Sequence, residues 1–213
     1  TFLNLFLKIC YMDLKSVLRK TWRFIWEDNS VWSWLVNIVL AFVIIKFVVY
    51  PGLGILLGTT HPIVAVVSGS MEHPEPSFEE WWTRTCPDGE QKDLYAKYSI
   101  DKTTFEGFGY ETGLNKGDIV ILRSPKSANV GDIIVFSTPT RAEPIIHRAV
   151  QVKKAEDKTI SFKTKGDNNC GSADFEQSIS EKEIIGRALF RVPLLGWIKI
   201  GFVELLKIVG LAA

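Results

Sequence analysis

The chain has 213 residues, of which 46% are hydrophobic and 23% are charged, and its 25 basic and 24 acidic residues give a formal net charge of +1. This length is enough for one sizeable domain with a buried core and for additional segments. The balanced charge excludes nucleic-acid binding through a strongly cationic surface, so no nucleic-acid partner is expected.

Residues 1–30 mix aromatic with basic side chains, and we expect them to form an amphipathic segment. Asp28, Asn29 and Ser30 offer N-cap side chains for a helix that follows directly. The hydrophobic pattern changes at that point, because a long apolar stretch begins.

Residues 31–50 are apolar and rich in β-branched side chains, with one charge at Lys46 and one amide at Asn37. About 20 such residues, at about 1.5 Å per residue, match the roughly 30 Å hydrocarbon core of a bilayer. The stretch therefore predicts a transmembrane anchor, to which we assign residues 31–57. A buried helix of a soluble core is the alternative, and so is a cleavable signal peptide, although its apolar core is only about 7–15 residues long.

The glycines and the proline that follow, Pro51, Gly52, Gly54 and Gly58, predict that the helix ends or loosens there. Basic residues precede the stretch, and none occurs between Lys46 and Arg84. The positive-inside bias then places the N-terminus in the cytoplasm and exports the residues after the anchor.

Beyond the anchor, residues 58–192 contain short β-branched runs bounded by turn residues. The predicted strands cover residues 61–67, 117–122, 131–136, 145–152 and 159–164. Two of them begin with Gly-Asp, which indicates a turn that leads into a strand. The expected fold is mainly β, a coiled antiparallel sheet, with residues 72–115 as a polar and aromatic insertion.

The last segment, residues 193–213, is apolar again and carries Lys199, Glu204 and Lys207 on one side of a helix. This pattern favours an amphipathic C-terminal helix that lies on the membrane over a second span or a helix packed on the protein.

Three scattered cysteines, Cys10, Cys86 and Cys170, form neither a disulfide framework nor a CxxC metal site. We expect no metal and no cofactor. Cys86 and Cys170 could pair in an oxidising compartment, but the sequence favours free buried thiols.

The chemical signal begins with Ser-Gly-Ser at residues 68–70, which by itself is typical of a solvated turn. A serine hydroxyl becomes a nucleophile only beside a base. Of the three histidines, His61 is expected to be a packing or interface residue, and His73, three residues from Ser70, is the less favoured candidate base. His147 lies within a predicted strand and is followed by Arg148. A Lys-Gly-Asp-Asn-Asn run at residues 165–169 could deliver a carboxylate that orients an imidazole.

In their order and in their residues, these motifs resemble those of type I signal peptidases of the archaeal and endoplasmic-reticulum kind. The resemblance rests on Ser-Gly-Ser-Met at residues 68–71, Gly-Asp with a hydrophobic strand at residues 131–136, His147-Arg148, and residues 165–169 with Asp174. One departure is His73, which stands before Pro74 where the family has proline two residues after the methionine.

The resemblance implies a serine endopeptidase with Ser70 as nucleophile and His147, in place of the lysine of the bacterial branch, as general base. It implies Asp174 as the acid that orients His147, with Asp167 supporting the site, and leaves open whether the two acids exchange roles. The Ser70 N–H and the Ser68 hydroxyl would form the oxyanion hole. Signal-peptide-bearing preproteins and the lipid bilayer are the implied partners, and accessory subunits stay unknown.

Two other functions remain open at this point. One is a related Ser/His protease for other exported precursors, and the other is a non-enzymatic, membrane-tethered β scaffold that would tolerate alanine at Ser70, His147 and Asp174.

Overall fold

The computed structural model describes residues 2–126, 128–139, 141, 143–208 and 210. The chain divides into two compact units, Thr1–Gly52 and Leu53–Ala213. Positions 1, 209 and 211–213, which belong to the predicted segments at residues 1–30 and 193–213, lie outside the described residues.

The first unit contains two helices, α1 (Phe2–Trp26) and α2 (Val31–Ile44). Ser30 is the N-cap of α2, as predicted, and its hydroxyl accepts a hydrogen bond from the Ser33 N–H at 3.2 Å. The polar side chains of the apolar helix bond to carbonyls near the end of α1: Ser33 Oγ donates to Phe24 O at 2.6 Å and Asn37 Nδ2 to Ile25 O at 2.9 Å. These bonds satisfy carbonyls that a helix end leaves without an intrahelical partner.

The helix continues from Val31 to Leu57, through a π-helical turn (Ile45–Val49) and α3 (Tyr50–Leu57). The wider turn precedes Pro51, and the helix continues through Pro51, Gly52 and Gly54, where the sequence predicted an end or a loosening. It ends at the last of the four predicted positions, Gly58, which has a φ of +66°. The Thr59 N–H then bonds back to Gly54 O at 3.0 Å, as in a Schellman C-cap.

By length and composition, this helix could cross a membrane. Its 27 residues include a window with a mean hydropathy of 2.3, of which 0% is buried against the rest of the protein, and it is the one such helix in the part of the chain that the structure describes.

The second unit is built on a curled antiparallel sheet of seven strands in the order β1-β4-β9-β5-β6-β7-β8, and a separate hairpin is formed by β2 and β3. The strands are β1 (Ile63–Ala65), β2 (Thr85–Cys86), β3 (Gly89–Glu90), β4 (Ile119–Arg123), β5 (Ile133–Phe136), β6 (Ile145–Lys154), β7 (Ile160–Lys165), β8 (Ile179–Ser180) and β9 (Ile184–Val192). Bulges interrupt the pairings β4–β9, β5–β9 and β6–β7, and bulges bend strands and increase their twist. The mainly β fold predicted from the sequence is confirmed.

Both Gly-Asp pairs form the expected turns. Gly117 and Gly131 have φ values of +91° and +93°, a region that favours glycine. Asp118 and Asp132 each accept a hydrogen bond at 2.9 Å from the main-chain N–H three residues earlier. Each turn therefore leads directly into its strand, β4 or β5.

Both faces of the sheet are covered, which explains why β5 is apolar at every position. Ile133 and Val135 pack into one buried cluster, and Ile134 and Phe136 pack into another, because successive side chains of a strand point to opposite faces.

The insertion, residues 72–115, contains the β2–β3 hairpin and three short helices, α4 (Phe78–Trp82), α5 (Gln91–Ala96) and α6 (Lys102–Glu106). It has an aromatic core of its own, which packs against Val150 of β6 and comprises Trp81, Trp82, Tyr95, Ile100 and Phe105. The last helix among the described residues is α7 (Trp197–Ile208).

The expectation of free thiols at two cysteines is wrong. Cys86 of β2 and Cys170 form a disulfide, with their Cα atoms 5.5 Å apart, although their sequence separation is 84. The fold of the insertion brings β2 beside the loop after β7, which sequence spacing alone does not indicate.

Candidate active site

Ser70 and His147 are brought together from positions 77 residues apart. Ser70 follows the short edge strand β1, and its Oγ lies 3.0 Å from Nε2 of His147. His147 is a buried residue of β6, paired with Ile134 of β5, so its ring is held by the sheet. A hydroxyl within hydrogen-bond distance of an imidazole nitrogen is the arrangement that activates a serine nucleophile.

The other ring nitrogen of His147, Nδ1, contacts Oε1 of Glu176. Glu176 is buried and receives two further hydrogen bonds, from Thr164 Oγ1 at 2.9 Å and from the Ala173 N–H at 2.8 Å. Burial by itself would raise the pKa of the Glu176 carboxyl, but the hydrogen bond and charge of His147 and these two donors outweigh it and lower the pKa. The group is thus a carboxylate fixed against the imidazole.

Asp174 does not occupy the position predicted for it. It is exposed at the start of a short 3-10 turn, Asp174–Glu176, and within the described residues it makes no hydrogen bond to His147. The turn directs the side chain two residues later, that of Glu176, back to the ring. The sequence contains both acids in the run Asp-Phe-Glu at residues 174–176, and motif matching did not distinguish Glu176 from Asp174.

Asp167 lies at the centre of a separate buried network. Its carboxylate accepts hydrogen bonds from Arg148 Nη2 at 2.6 Å and Tyr95 Oη at 2.8 Å, and it lies 3.2 Å from His73 Nε2. Although burial opposes ionisation, the Arg148 guanidinium holds the pKa of Asp167 well below its usual range. His73, the departure from the family pattern, therefore connects the insertion to this network and stacks on Trp81 with ring centroids 3.6 Å apart.

Gly166 lies between the Ser70–His147–Glu176 contacts and the network around Asp167. A Cβ built at this position would lie 2.8 Å from both His147 Nε2 and the Ser70 carbonyl oxygen. Only glycine therefore lets the loop after β7 pass this close to the Ser70–His147 pair.

Lys165 is buried beside this loop, and its ammonium does not reach the serine. Nζ donates to Gln91 Oε1 at 2.8 Å and to Gly166 O at 3.1 Å. Burial lowers the pKa of Lys165 to about 7.

The Ser70–His147 pair opens into a cleft of about 1160 Å³ beside the edge strand β1. Its apolar lining includes Ala65, Val67, Ile145 and Phe175. Ser68 is exposed in the same cleft, with its Oγ 3.2 Å from Ser70 Oγ. An extended peptide could lie along the unpaired edge of β1 and present a carbonyl to Ser70.

Comparison with known proteins finds signal peptidase catalytic subunits among the relatives of this chain. The chain is 27% identical over 159 residues to the signal peptidase complex catalytic subunit SEC11C of Homo sapiens, a match that covers 71% of this chain and 62% of the relative. Identity to the subunit SEC11 is 27% over 182 residues in Yarrowia lipolytica (79% of this chain, 83% of the relative) and 29% over 165 residues in Scheffersomyces stipitis (74% and 75%). No family model matches the chain.

The match thus spans about three-fifths of the length of the SEC11C relatives and more of the two fungal ones. These relatives confirm the resemblance to type I signal peptidases of the endoplasmic-reticulum kind that the order of the motifs indicated.

Proposed function

We propose that this chain is a membrane-anchored serine endopeptidase that removes N-terminal signal peptides from exported preproteins after small residues. The observation that carries the proposal is the continuous contact from Ser70 to His147 to Glu176 in an open cleft beside an edge strand. The homology to signal peptidase catalytic subunits supports the choice of substrate.

The proton follows the contacts of these three residues. Ser70 Oγ attacks the scissile carbonyl and forms the acyl-enzyme while His147 Nε2 accepts its proton, and His147 then returns the proton to the leaving amine. Water hydrolyses the acyl-enzyme by the same route. Glu176 keeps the Nδ1 proton in place and stabilises the imidazolium that forms in each step.

The negative oxygen of the tetrahedral intermediate needs hydrogen-bond donors. The Ser70 N–H and the Ser68 hydroxyl are the donors in this proposal, because Ser68 lies in the cleft beside the nucleophile. Loss of one such donor typically costs about 100- to 1,000-fold in rate.

The helix Val31–Leu57 is the membrane anchor in this proposal, with residues 1–30 in the cytoplasm and the catalytic domain, residues 58–192, on the extracytoplasmic face. Basic residues flank only the N-terminal side of the apolar stretch, as the positive-inside rule requires. The disulfide supports the same orientation, because disulfides persist in oxidising compartments.

The C-terminal segment, residues 193–213, lies on the membrane in this proposal. Large apolar side chains of α7 are exposed on the described part of the helix, among them Trp197, Ile198, Phe202, Leu205 and Ile208. Glu204 and Lys207 pair with each other at 3.5 Å on its polar side. Such a helix can bury its apolar side in the interface of a bilayer.

The test is cleavage of a model preprotein by detergent-solubilised membranes from cells that express the chain, with membranes from uninduced cells as background. Wild type is expected to cleave after a small residue, and Ser70→Ala and His147→Ala are expected to fall to background. His61→Ala is the matched control, because His61 is exposed and does not line the cleft.

Cleavage by Ser70→Ala at the wild-type rate would overturn the proposal and favour a non-enzymatic scaffold. Wild-type activity no greater than background would overturn it as well.

A further inference from the structure

The main chain on both sides of Ser70 is held by one residue of the loop after β7. The Asn168 N–H donates to the Ser70 carbonyl at 2.8 Å, and Asn168 Nδ2 donates to the Gly69 carbonyl at 2.9 Å. The Gly69 carbonyl belongs to the same planar peptide group as the Ser70 N–H. Asn168 therefore fixes the direction in which the candidate oxyanion donor points.

Asn168 is in turn held by the insertion. Nη1 of Arg84 donates to Asn168 Oδ1, and Nη2 donates to Asn168 O at 2.7 Å. With Oδ1 bound to the guanidinium, the Asn168 amide must present its Nδ2 donor to Gly69. The planar, two-pronged guanidinium provides this geometry, whereas the point charge of a lysine does not.

The neighbours of Asn168 are fixed by the same part of the insertion. Gln91 Nε2 lies 3.2 Å from the carbonyl oxygens of both Asp167 and Asn169, and the Cys86–Cys170 disulfide closes the far end of the loop. Arg84, Cys86 and Gln91 lie within eight consecutive residues, 84–91, so one short segment holds the loop at three points.

Residues 84–91 are anchored to the buried core of the insertion. They follow α4, and the Arg84 N–H bonds to Trp81 O at 3.1 Å. Trp81 is 0% exposed within the aromatic core of the insertion. Glu75, at 3.5 Å, balances the charge of Arg84.

We propose that the insertion positions the oxyanion hole: Asn168 orients the Ser70 N–H, and Arg84 with the Cys86–Cys170 disulfide orients Asn168. The inference rests on the proposed peptidase function and gives the insertion a role in it. These residues do not touch the reacting atoms, so they act as positioning residues.

The decisive variant is Asn168→Asp, which keeps the size of the side chain and its contact with Arg84 but replaces the donor to Gly69 by an acceptor. We expect kcat for the model preprotein to fall about 10- to 100-fold, a part of the loss seen when an oxyanion donor is removed. Asn168 lines the cleft, but its side chain is bound to Arg84 and to the Gly69 carbonyl, and the apolar lining residues are unchanged. KM is therefore expected to stay within about threefold of wild type.

Arg84→Met tests the next link, and we expect kcat to fall about tenfold at similar KM. Lys102→Met is the matched control, because Lys102 is in the insertion but pairs with Glu79 and Glu106 instead of the loop. In the double variant, Arg84→Met should add little to Asn168→Asp, since Arg84 acts through Asn168. The Cys86→Ser/Cys170→Ser double variant is expected to lower kcat in the same way.

Thermal unfolding is measured on every variant, and kinetics are compared below the lowest Tm, so that a loss of folded protein is not counted as a loss of kcat. Wild-type kcat in a folded Asn168→Asp variant would overturn the inference. The peptidase function would still stand in that case, provided that wild type cleaves and Ser70→Ala does not.

Discussion

The acid beside His147 determines how the imidazole is held, and the structure separates three carboxylates that the sequence leaves close together. Glu176 contacts Nδ1, Asp167 is bound to Arg148, and Asp174 is exposed. We expect Glu176→Gln to lower kcat by about 10³- to 10⁴-fold, because a neutral amide neither stabilises the imidazolium nor enforces the tautomer.

Asp174→Asn is the matched control, and its kcat is expected to stay within about twofold of wild type, because surface substitutions away from the site have small effects. Steady-state cleavage of the model preprotein measures both variants. A large loss in Asp174→Asn together with normal activity in Glu176→Gln would restore the assignment made from the sequence.

Lys165 makes the free energy of unfolding depend on pH. Burial lowers the pKa of this lysine to about 7 in the folded protein, whereas an unfolded lysine has a pKa of about 10.4. Between these values the unfolded chain binds more protons, so the Lys165 contribution to the free energy of unfolding rises with pH. The penalty for burying the charge is therefore fully present below about pH 7 and is relieved above it.

Lys165→Met removes this dependence. The gain in stability of the variant over wild type should be larger at pH 6.5 than at pH 9. Thermal unfolding of both proteins in detergent at several pH values measures this difference. Lys163→Met, two residues earlier on β7, controls for the loss of one positive charge. A stability difference between Lys165→Met and wild type that does not change with pH would contradict the prediction.

Residue type and motif order were sufficient to single out Ser70 and His147, whose side chains lie 3.0 Å apart in the structure. They were insufficient for Glu176, because its contact with His147 depends on the direction of a single 3-10 turn. The network of His73, Asp167 and Arg148 was also beyond prediction, since it joins the insertion to β6 and to the loop after β7 by tertiary contact alone.

At the scale of elements, alternation and turn chemistry predicted the strands that begin at Gly-Asp and the strand that carries His147. The nine-residue strand β9 was missed, although it lies between β4 and β5 in the sheet. Gly186 and Arg187 interrupt its apolar pattern, and Leu189 and Phe190 are exposed, so its burial is irregular. Its position depends on the partners that it pairs with rather than on its own residues.

The structure of the insertion, like that of β9, could not be predicted from its own residues. Its composition marked it as a departure from the surrounding β pattern, but its aromatic core and its contacts with Asn168 depend on packing. The insertion, which lies outside the motifs in sequence, therefore provides part of the surroundings of Ser70.

At the scale of the whole molecule, the three cysteines provide a test of the proposed membrane orientation. Cys10 precedes the apolar helix, whereas Cys86 and Cys170 follow it and form a disulfide. In the proposed orientation, only Cys10 faces the cytoplasm.

A bulky, membrane-impermeant maleimide added to sealed microsomal vesicles should therefore attach once to the wild-type chain and not at all to Cys10→Ser. After detergent and reductant, wild type should carry three adducts, because the disulfide is then opened and all three thiols react. The number of adducts is read from the shift in mobility on a denaturing gel. In the opposite orientation, an impermeant reductant added to intact vesicles would expose Cys86 and Cys170 to the reagent and leave Cys10 unmodified. That pattern would overturn the export of the catalytic domain. It would not affect the contacts among Ser70, His147 and Glu176.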